Sequence, residues 1–297
     1  MLPYEIIGDS ADREAWLELR RTGIGASDVP SILQIPGAWG SPLHVAADKL
    51  GALEERPMTE YQEAGLRMEA PIAAWAVEDI KPFNYMHWGR LLRSTKYPWL
   101  ICTPDFELQF THGEASGLHV PLQIKNTVKA GDWKEEPPPA VIAQCLTEQI
   151  VTGVPFSYCA TLLLGNRLRW AKIVRADYEE LCAQIIEETG SFWEKVQSGK
   201  RIEVDASEKT REAIAALWPA EEGKEIALDG GFVALDSERE AALSAAAEYK
   251  VMADGLSNEI REAMGDAEVA TLPNGVVFTY KQGARSRPLL RKPAPEE

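Results

Sequence analysis

The stretch LHVPLQIKN, residues 118–126, decides the fold, because its hydrophobic and β-branched residues predict a strand. Residues two apart in a strand point to the same face, so Gln123 and Lys125 project together while Ile124 faces the core. The backbone carbonyl of Ile124 stays available as an oxygen ligand. This strand therefore presents an amide, a carbonyl and an ammonium group on one patch.

A second predicted strand, residues 99–103 (WLICT), is followed by Pro104 and Asp105. In an antiparallel pair, Asp105 near one strand end can face Gln123 and Lys125 on the next. An acid, an oxygen ligand and a lysine on one patch suit Mg²⁺-assisted hydrolysis of a phosphodiester. Taken alone, these residues more often form a Pro-Asp turn and an exposed edge lysine.

The other periodicities predict an α/β core, in which a central mixed sheet is flanked by helices. Ser41 is the predicted N-cap of one helix, with Pro42 at its first position. Another helix carries an apolar stripe formed by Leu66, Ile72, Trp75 and Ala76. Helices are predicted over residues 12–20, 28–33, 41–50, 58–77, 138–152 and 177–197, a glycine-rich turn over 23–27, and a hairpin of strands over 157–164 and 168–174.

A polar stretch after residue 198 predicts a boundary, with a core over residues 1–200 and an appendage over 201–297. The appendage is predicted to hold helices at 207–218 and 236–264, a hairpin at 267–281 and a disordered end. The longer helix either packs on the core or forms an oligomer or partner surface. The basic residues near the end are either a DNA contact or a solvated tail: Lys281, Arg285, Arg287, Arg291 and Lys292.

The composition excludes some classes of function. The 297 residues carry a net charge of −15, which argues against a protein that coats nucleic acid non-specifically. No apolar run has the length of a membrane span, and the start lacks the pattern of a signal peptide, so we expect a cytoplasmic protein. The four cysteines lie in apolar stretches without a CxxC pair, which favours buried hydrophobes over a zinc site, disulfides or an iron–sulfur cluster.

Five blocks of residues 12–197 resemble, in order and spacing, the lambda exonuclease and YqaJ-type viral recombinase family of PD-(D/E)XK nucleases. The blocks are Trp16 to Arg20 with the GIGASD turn at 23–28, the GLRMEAPI helix at 65–72, Thr103-Pro104-Asp105, Leu122-Gln123-Ile124-Lys125, and VIAQ at 141–144 running on to VTG at 151–153. The resemblance implies a PD-(D/E)XK, restriction-endonuclease-like core.

The resemblance also implies roles for the matching positions. Asp105, Gln123, the Ile124 carbonyl and Glu69 would hold Mg²⁺, for which Mn²⁺ could substitute. Lys125 would be the catalytic lysine, and Gln144 would position the lysine, the water or the DNA backbone. Arg20 and Ser27 would bind a terminal 5′-phosphate, which a guanidinium and a hydroxyl can do. Taken singly, Arg20 is explained by a helix end, Ser27 by an N-cap, and Glu69 and Gln144 by exposed helix faces.

Three positions depart from the family pattern. Gln123 stands where the motif has its second acid, which keeps an oxygen ligand but removes a negative charge. Leu146 replaces the second glutamine of Q-x-Q, and Val141 replaces the aromatic that begins that block. Gln123 is therefore a native variant, an introduced inactivating change, or the mark of a protein that binds DNA without cutting it.

The resemblance implies a Mg²⁺-dependent 5′→3′ exonuclease on double-stranded DNA ends, making single-stranded tails for phage-type recombination in a bacterial host. It further implies a single-strand annealing protein as partner and a ring-shaped homo-oligomer, most often a trimer. The alternative is a DNA-end-binding protein of the same fold with an impaired site at Gln123.

Overall fold

The computed structural model describes residues 2–54, 57–82, 84–113, 116–128, 133 and 136–294, and divides the chain into two compact units, Met1–Glu221 and Glu222–Glu297. The two units divide after Glu221, whereas the sequence predicted a boundary after residue 200; Ala213, which lies between these positions, packs against Leu43 and Ala47 of the first unit. In the described residues, no helix combines the length and apolar composition needed to cross a membrane.

The first unit combines two sheets with packed helices. Its strands are β1 (Tyr4–Asp9), β2 (Ile24–Gly25), β3 (Asn84–His87), β4 (Arg90–Ser94), β5 (Leu100–Cys102), β6 (Phe106–Gln109), β7 (His119–Thr127), β8 (Phe156–Leu163) and β9 (Arg167–Val174). Its helices are α1 (Arg13–Arg20), α2 (Val29–Ile32), α3 (Pro42–Lys49), α4 (Glu60–Ile80), α5 (Pro139–Thr152), α6 (Glu179–Gln197) and α7 (Glu208–Leu217). The helices predicted in this unit are confirmed within a few residues.

The larger sheet has the order β3-β6-β7-β8-β9, and β7 and β8 run parallel while the other neighbours are antiparallel. Helix α5 is the crossover between the parallel strands. Hydrophobic residues of α4 pack on one face of this sheet, where Ile72 and Ala76 join Leu122 and Ile124 in one core cluster. The predicted mixed sheet flanked by helices is therefore confirmed.

Contrary to the prediction from the sequence, the second predicted strand, residues 99–103, does not pair with the strand that carries Gln123 and Lys125. Strand β5 belongs to the smaller sheet, β1-β4-β5-β2, and β6 is the antiparallel neighbour of β7, with Phe106 opposite Leu122. The segment Thr103–Asp105 alone connects β5 to β6, so the chain steps from one sheet to the other at Asp105. The turn at Pro104 separates the two short strands.

Two local predictions can be compared in detail. Ser41 caps α3 by accepting a hydrogen bond from the backbone nitrogen of His44, as predicted. The predicted stripe of α4 is only half right, because Leu66 and Trp75 are 54% and 45% exposed. Only a narrow face of α4 meets the sheet, and these two side chains lie off that face.

The second unit holds the helix α8 (Gly231–Met264) and the strands β10 (Val269–Thr271), β11 (Val277–Tyr280) and β12 (Leu289–Lys292). Strand β12 pairs with β11, so the described part of the predicted disordered end is ordered. Arg287 fixes this end by donating to the carbonyls of Gly265, Ala267 and Tyr280. Residues 295–297 lie outside the described residues.

Candidate active site

Asp105 is held against strand β7 by two hydrogen bonds to one carboxylate oxygen. Its Oδ2 accepts from the backbone nitrogen of Ile124 at 2.7 Å and from the side-chain nitrogen of Gln123. Ile124 is buried in the core cluster, which turns Gln123 away from the helix α4 side of the sheet. The structure therefore brings together the acid, the amide and the carbonyl that the sequence predicted to meet.

Lys125 is linked to helix α5 through an ordered chain of side chains. Its Nζ donates to Oε1 of Gln144 at 2.9 Å, and Nε2 of Gln144 donates to Oε1 of Glu148 at 3.3 Å. The amide of Gln144 is thereby oriented with its oxygen toward the lysine. The resemblance implied that Gln144 would position the lysine, the water or the DNA backbone, and the structure places its oxygen against the lysine.

Glu69 reaches the same region from helix α4. It lines a groove that also contains Arg20, Ile124 and Lys125. Burial, together with the charge of Asp105, raises the pKa of Glu69 to about 7, and Lys125 opposes both effects. The charge of Asp105 therefore opposes the ionisation of Glu69.

The acids of the site have raised pKa values. Burial raises the pKa of Asp105, while Lys125 and the hydrogen bond from Ile124 lower it. Burial, with the charge of Asp105, also raises the pKa of Glu148 to about 8. Since each of these acids resists ionisation, a bound cation would stabilise their charged forms.

The residues predicted to bind a terminal phosphate lie in one cavity with Asp105. The guanidinium of Arg20 stacks on Trp16, 4.8 Å from the ring centroid, and lies 3.4 Å from Oγ of Ser27. The described lining of this cavity includes Trp16, Arg20, Ser27, Asp105, Gln144 and Glu148. One concave surface therefore joins the proposed phosphate donors to the acid of the metal site.

A buried ion pair shapes the turn that carries Ser27. The carboxylate of Asp28 lies 2.6 Å from Nζ of Lys49, whose side chain is fully buried, and 3.8 Å from Arg20. Oδ2 of Asp28 also accepts from the backbone nitrogen of Gly25 at 2.8 Å. Strand β2 places Gly25 beside β5, so the glycine-rich turn is fixed at both ends.

The donor set fits Mg²⁺, which prefers oxygen ligands and keeps several of its waters. Gln123 is buried, and its Oε1 has no hydrogen-bond partner among the described residues. In the part of the chain that the structure describes, no three His, Cys, Asp or Glu side chains gather closely enough to hold a metal ion. Asp105, Gln123, the Ile124 carbonyl and Glu69 would therefore hold a largely hydrated ion.

Four residues that support the site had no role predicted from the sequence. Glu148, Asp28, Lys49 and Trp16 all support the site, and only Trp16 and Asp28 stood in a recognised block. The spacing of Gln144 and Glu148, four residues apart, places both on one face of a helix and could have revealed this further acid. Lys49 had no comparable pattern, because its partner Asp28 is distant in sequence.

The fold has a known counterpart among solved structures. The alkaline exonuclease LHK-Exo from Laribacter hongkongensis superposes with a TM-score of 0.50 at 17% sequence identity, over 63% of this chain and 93% of that one. The mixed α/β fold is therefore similar to that of an alkaline exonuclease of the PD-(D/E)XK type.

Residues 15–155 match the family model of the YqaJ-like viral recombinase domain. A relative, the uncharacterized protein YqaJ of Bacillus subtilis (strain 168), is 28% identical over 278 residues, which is 88% of this chain and 81% of that protein. The resemblance seen in the five sequence blocks is thereby confirmed, since residues 15–155 are similar to the YqaJ-like viral recombinase domain.

Proposed function

We propose that the chain is a Mg²⁺-dependent exonuclease that digests one strand of double-stranded DNA from a 5′-phosphorylated end. The observation that carries this proposal is the single cavity in which Arg20 and Ser27 face the same space as Asp105. A nuclease that binds the terminal phosphate next to its metal site cuts from the end.

Each side chain has a role in this reaction. Bound Mg²⁺ would polarise the phosphate and lower the pKa of a bound water. Asp105 and Glu69 supply negative charge for that ion, and the ammonium of Lys125, oriented by Gln144, neutralises charge that develops on the phosphate. Arg20 can bind a terminal phosphate with two parallel hydrogen bonds. The structural counterpart supports the class of reaction, since LHK-Exo is described as an alkaline exonuclease.

The second candidate is a DNA-end-binding protein with an impaired site. It is favoured by the hydrogen bond from the Gln123 amide to Asp105, because an amide donor satisfies the carboxylate that would otherwise attract a cation. Both candidates share the phosphate-binding residues and differ in hydrolysis.

Digestion of linear duplex DNA separates the two. Substrates with a 5′-phosphate or a 5′-hydroxyl are incubated with the full chain in Mg²⁺, Mn²⁺ or EDTA, and each strand is labelled to read polarity. We expect metal-dependent loss of the 5′-phosphorylated strand and slow loss of the 5′-hydroxyl strand. Binding of the ends without digestion in either metal would support the second candidate.

The assembly and partner implied by the resemblance are also proposals. A homo-oligomeric ring would let duplex DNA enter and a single strand leave for an annealing protein. Light scattering of the purified chain measures the mass of the assembly directly. A monomer at micromolar concentration would count against the ring.

A further inference from the structure

Glu148 is a buried acid in the candidate active site that the proposed mechanism does not use. It lies on α5, one helical turn after Gln144, and is only 1% exposed. It lines the cavity that contains Asp105, Arg20 and Ser27. Of the described residues that line this cavity, Asp105 and Glu148 are the acidic ones.

The carboxylate of Glu148 is only half satisfied. Its Oε1 accepts from Gln144, whereas its Oε2 is buried and has no hydrogen-bond partner within the described ranges. A buried carboxylate oxygen without a donor is costly, so native structures usually supply a partner such as a water or an ion. A cation in the cavity, which Asp105 also lines, would satisfy both acids.

Gln123 lacks the negative charge that the family motif has at its position, whereas Glu148 adds a carboxylate to the same site. Strand β7 offers an amide oxygen where a carboxylate would add a full negative charge, and that Oε1 also lacks a partner among the described atoms. The site therefore keeps the oxygen on β7 and has a spare carboxylate on α5. Because Mg²⁺ retains waters, that carboxylate can act on the hydrated ion without joining a closed cage.

We propose that Glu148 is a third acid of the cation site, beside Asp105 and Glu69, and that it acts from α5 on the waters of the ion in place of the acid that Gln123 does not provide. This inference rests on the metal dependence of the proposed function, and it does not require that DNA be cut. A purely structural role would be to hold the amide of Gln144. Glu148→Gln separates these roles, because glutamine keeps an oxygen acceptor for Gln144 and removes the charge.

The test measures Mn²⁺ binding to the full chain by electron paramagnetic resonance, without DNA. We expect Glu148→Gln to weaken Mn²⁺ binding roughly 10–100-fold, the range seen when groups around a metal site are removed. The double variant Gln123→Glu with Glu148→Gln should recover most of the lost affinity, because the charge returns on β7. Glu187→Gln, an exposed change on α6, is the control and should bind as the unchanged chain does.

The outcomes distinguish a failure of the role of Glu148 from a failure of the proposed function. Wild-type affinity in Glu148→Gln, with a normal melting temperature in EDTA, would overturn the role of Glu148 alone. Failure of the double variant to regain affinity would also overturn it, since charge would not be the missing property. Absence of Mn²⁺ binding by the unchanged chain would overturn the metal site itself. Loss of binding in Glu148→Gln would support the proposal even if the chain never digests DNA.

Discussion

The side-chain nitrogen of Gln123 donates a hydrogen bond to Oδ2 of Asp105, the acid at the centre of the candidate active site. An amide thus faces the carboxylate at a position where the family motif has an acid. Two carboxylates there would repel each other unless a cation lay between them. The identity of one side chain therefore determines how strongly the site depends on a metal.

Gln123→Glu is expected to raise Mg²⁺-dependent cleavage at least tenfold, because a second carboxylate strengthens cation binding. In EDTA the same change should lower the melting temperature, since the introduced carboxylate would lie against Asp105 without a counter-ion. Initial rates on 5′-phosphorylated duplex, with and without Mg²⁺, check the first effect. Equal activity of the two chains would show that position 123 lies outside the metal's surroundings.

Lys125→Met is expected to reduce cleavage roughly 10²–10³-fold, the usual cost of removing one charge-stabilising donor from an active site. Methionine keeps the apolar stem and loses the ammonium that Gln144 orients. Lys195→Met, on an exposed face of α6, provides the matched control. Equal loss of activity in the two variants would mean that the effect is not local to the site.

Arg20→Ala is expected to remove the preference for a 5′-phosphate over a 5′-hydroxyl end. Hydrogen bonds to charged groups contribute about 1.5–3 kcal/mol, which corresponds to roughly 10–100-fold in that preference. Ser27→Ala should have a smaller effect in the same direction, and Arg167→Ala, an exposed residue of β9, should have none. A preference that persists in Arg20→Ala would place the terminal phosphate elsewhere.

Asp28→Asn is expected to cost about 3–5 kcal/mol of unfolding free energy, because it leaves the buried ammonium of Lys49 without its buried anion. Asp48→Asn is a close control, since Asp48 lies 3.5 Å from the same ammonium but its side chain is 42% exposed. Its cost should stay below about 1 kcal/mol. Urea unfolding of both variants measures the difference, and equal costs would contradict the argument from burial.

The metal-free protein is expected to lose stability as pH rises from about 5 to 8. The pKa of Glu69 is raised to about 7 and that of Glu148 to about 8 in the folded chain. The folded state therefore keeps these protons at pH values where the unfolded chain has lost them, so rising pH lowers the free energy of unfolding. Asp28 has a lowered pKa and loses its contribution only in stronger acid. Thermal melts in EDTA across this range, repeated in Mg²⁺, should show the fall in EDTA and a weaker one in Mg²⁺. A melting temperature that climbs steadily in EDTA would contradict it.

The sequence predicted the elements of the site better than their pairing. Alternation in β7 correctly placed Gln123 and Lys125 on one face and Ile124 in the core. Strand β6, with only four residues after the turn at Pro104, was too short to be recognised by periodicity. The step of the chain from one sheet to the other at Asp105 was therefore missed, although its approach to β7 was predicted.

Interactions between charged residues that meet only in the folded chain were the other part of the site that the sequence did not predict. Glu148 lies in a helix that is buried on almost every side, where sequence pattern alone does not distinguish a charged residue near a cavity from one at a surface. Lys49 meets Asp28 only through folding. The roles of such acids and bases can be inferred only when the structure shows which side chains surround them.

The segment Thr103–Asp105 connects the two sheets, and its length bears on the length of the nucleotide product. Arg20 and Ser27 are positioned by the smaller sheet, whereas Lys125 and Gln123 belong to the larger one, and three residues span the junction. Under the proposed function, that span sets the separation between the terminal phosphate and the bond that is cut. Asp105 is itself part of this connection, so lengthening it would move the acid of the site away from Gln123 and Ile124 as well as change that separation.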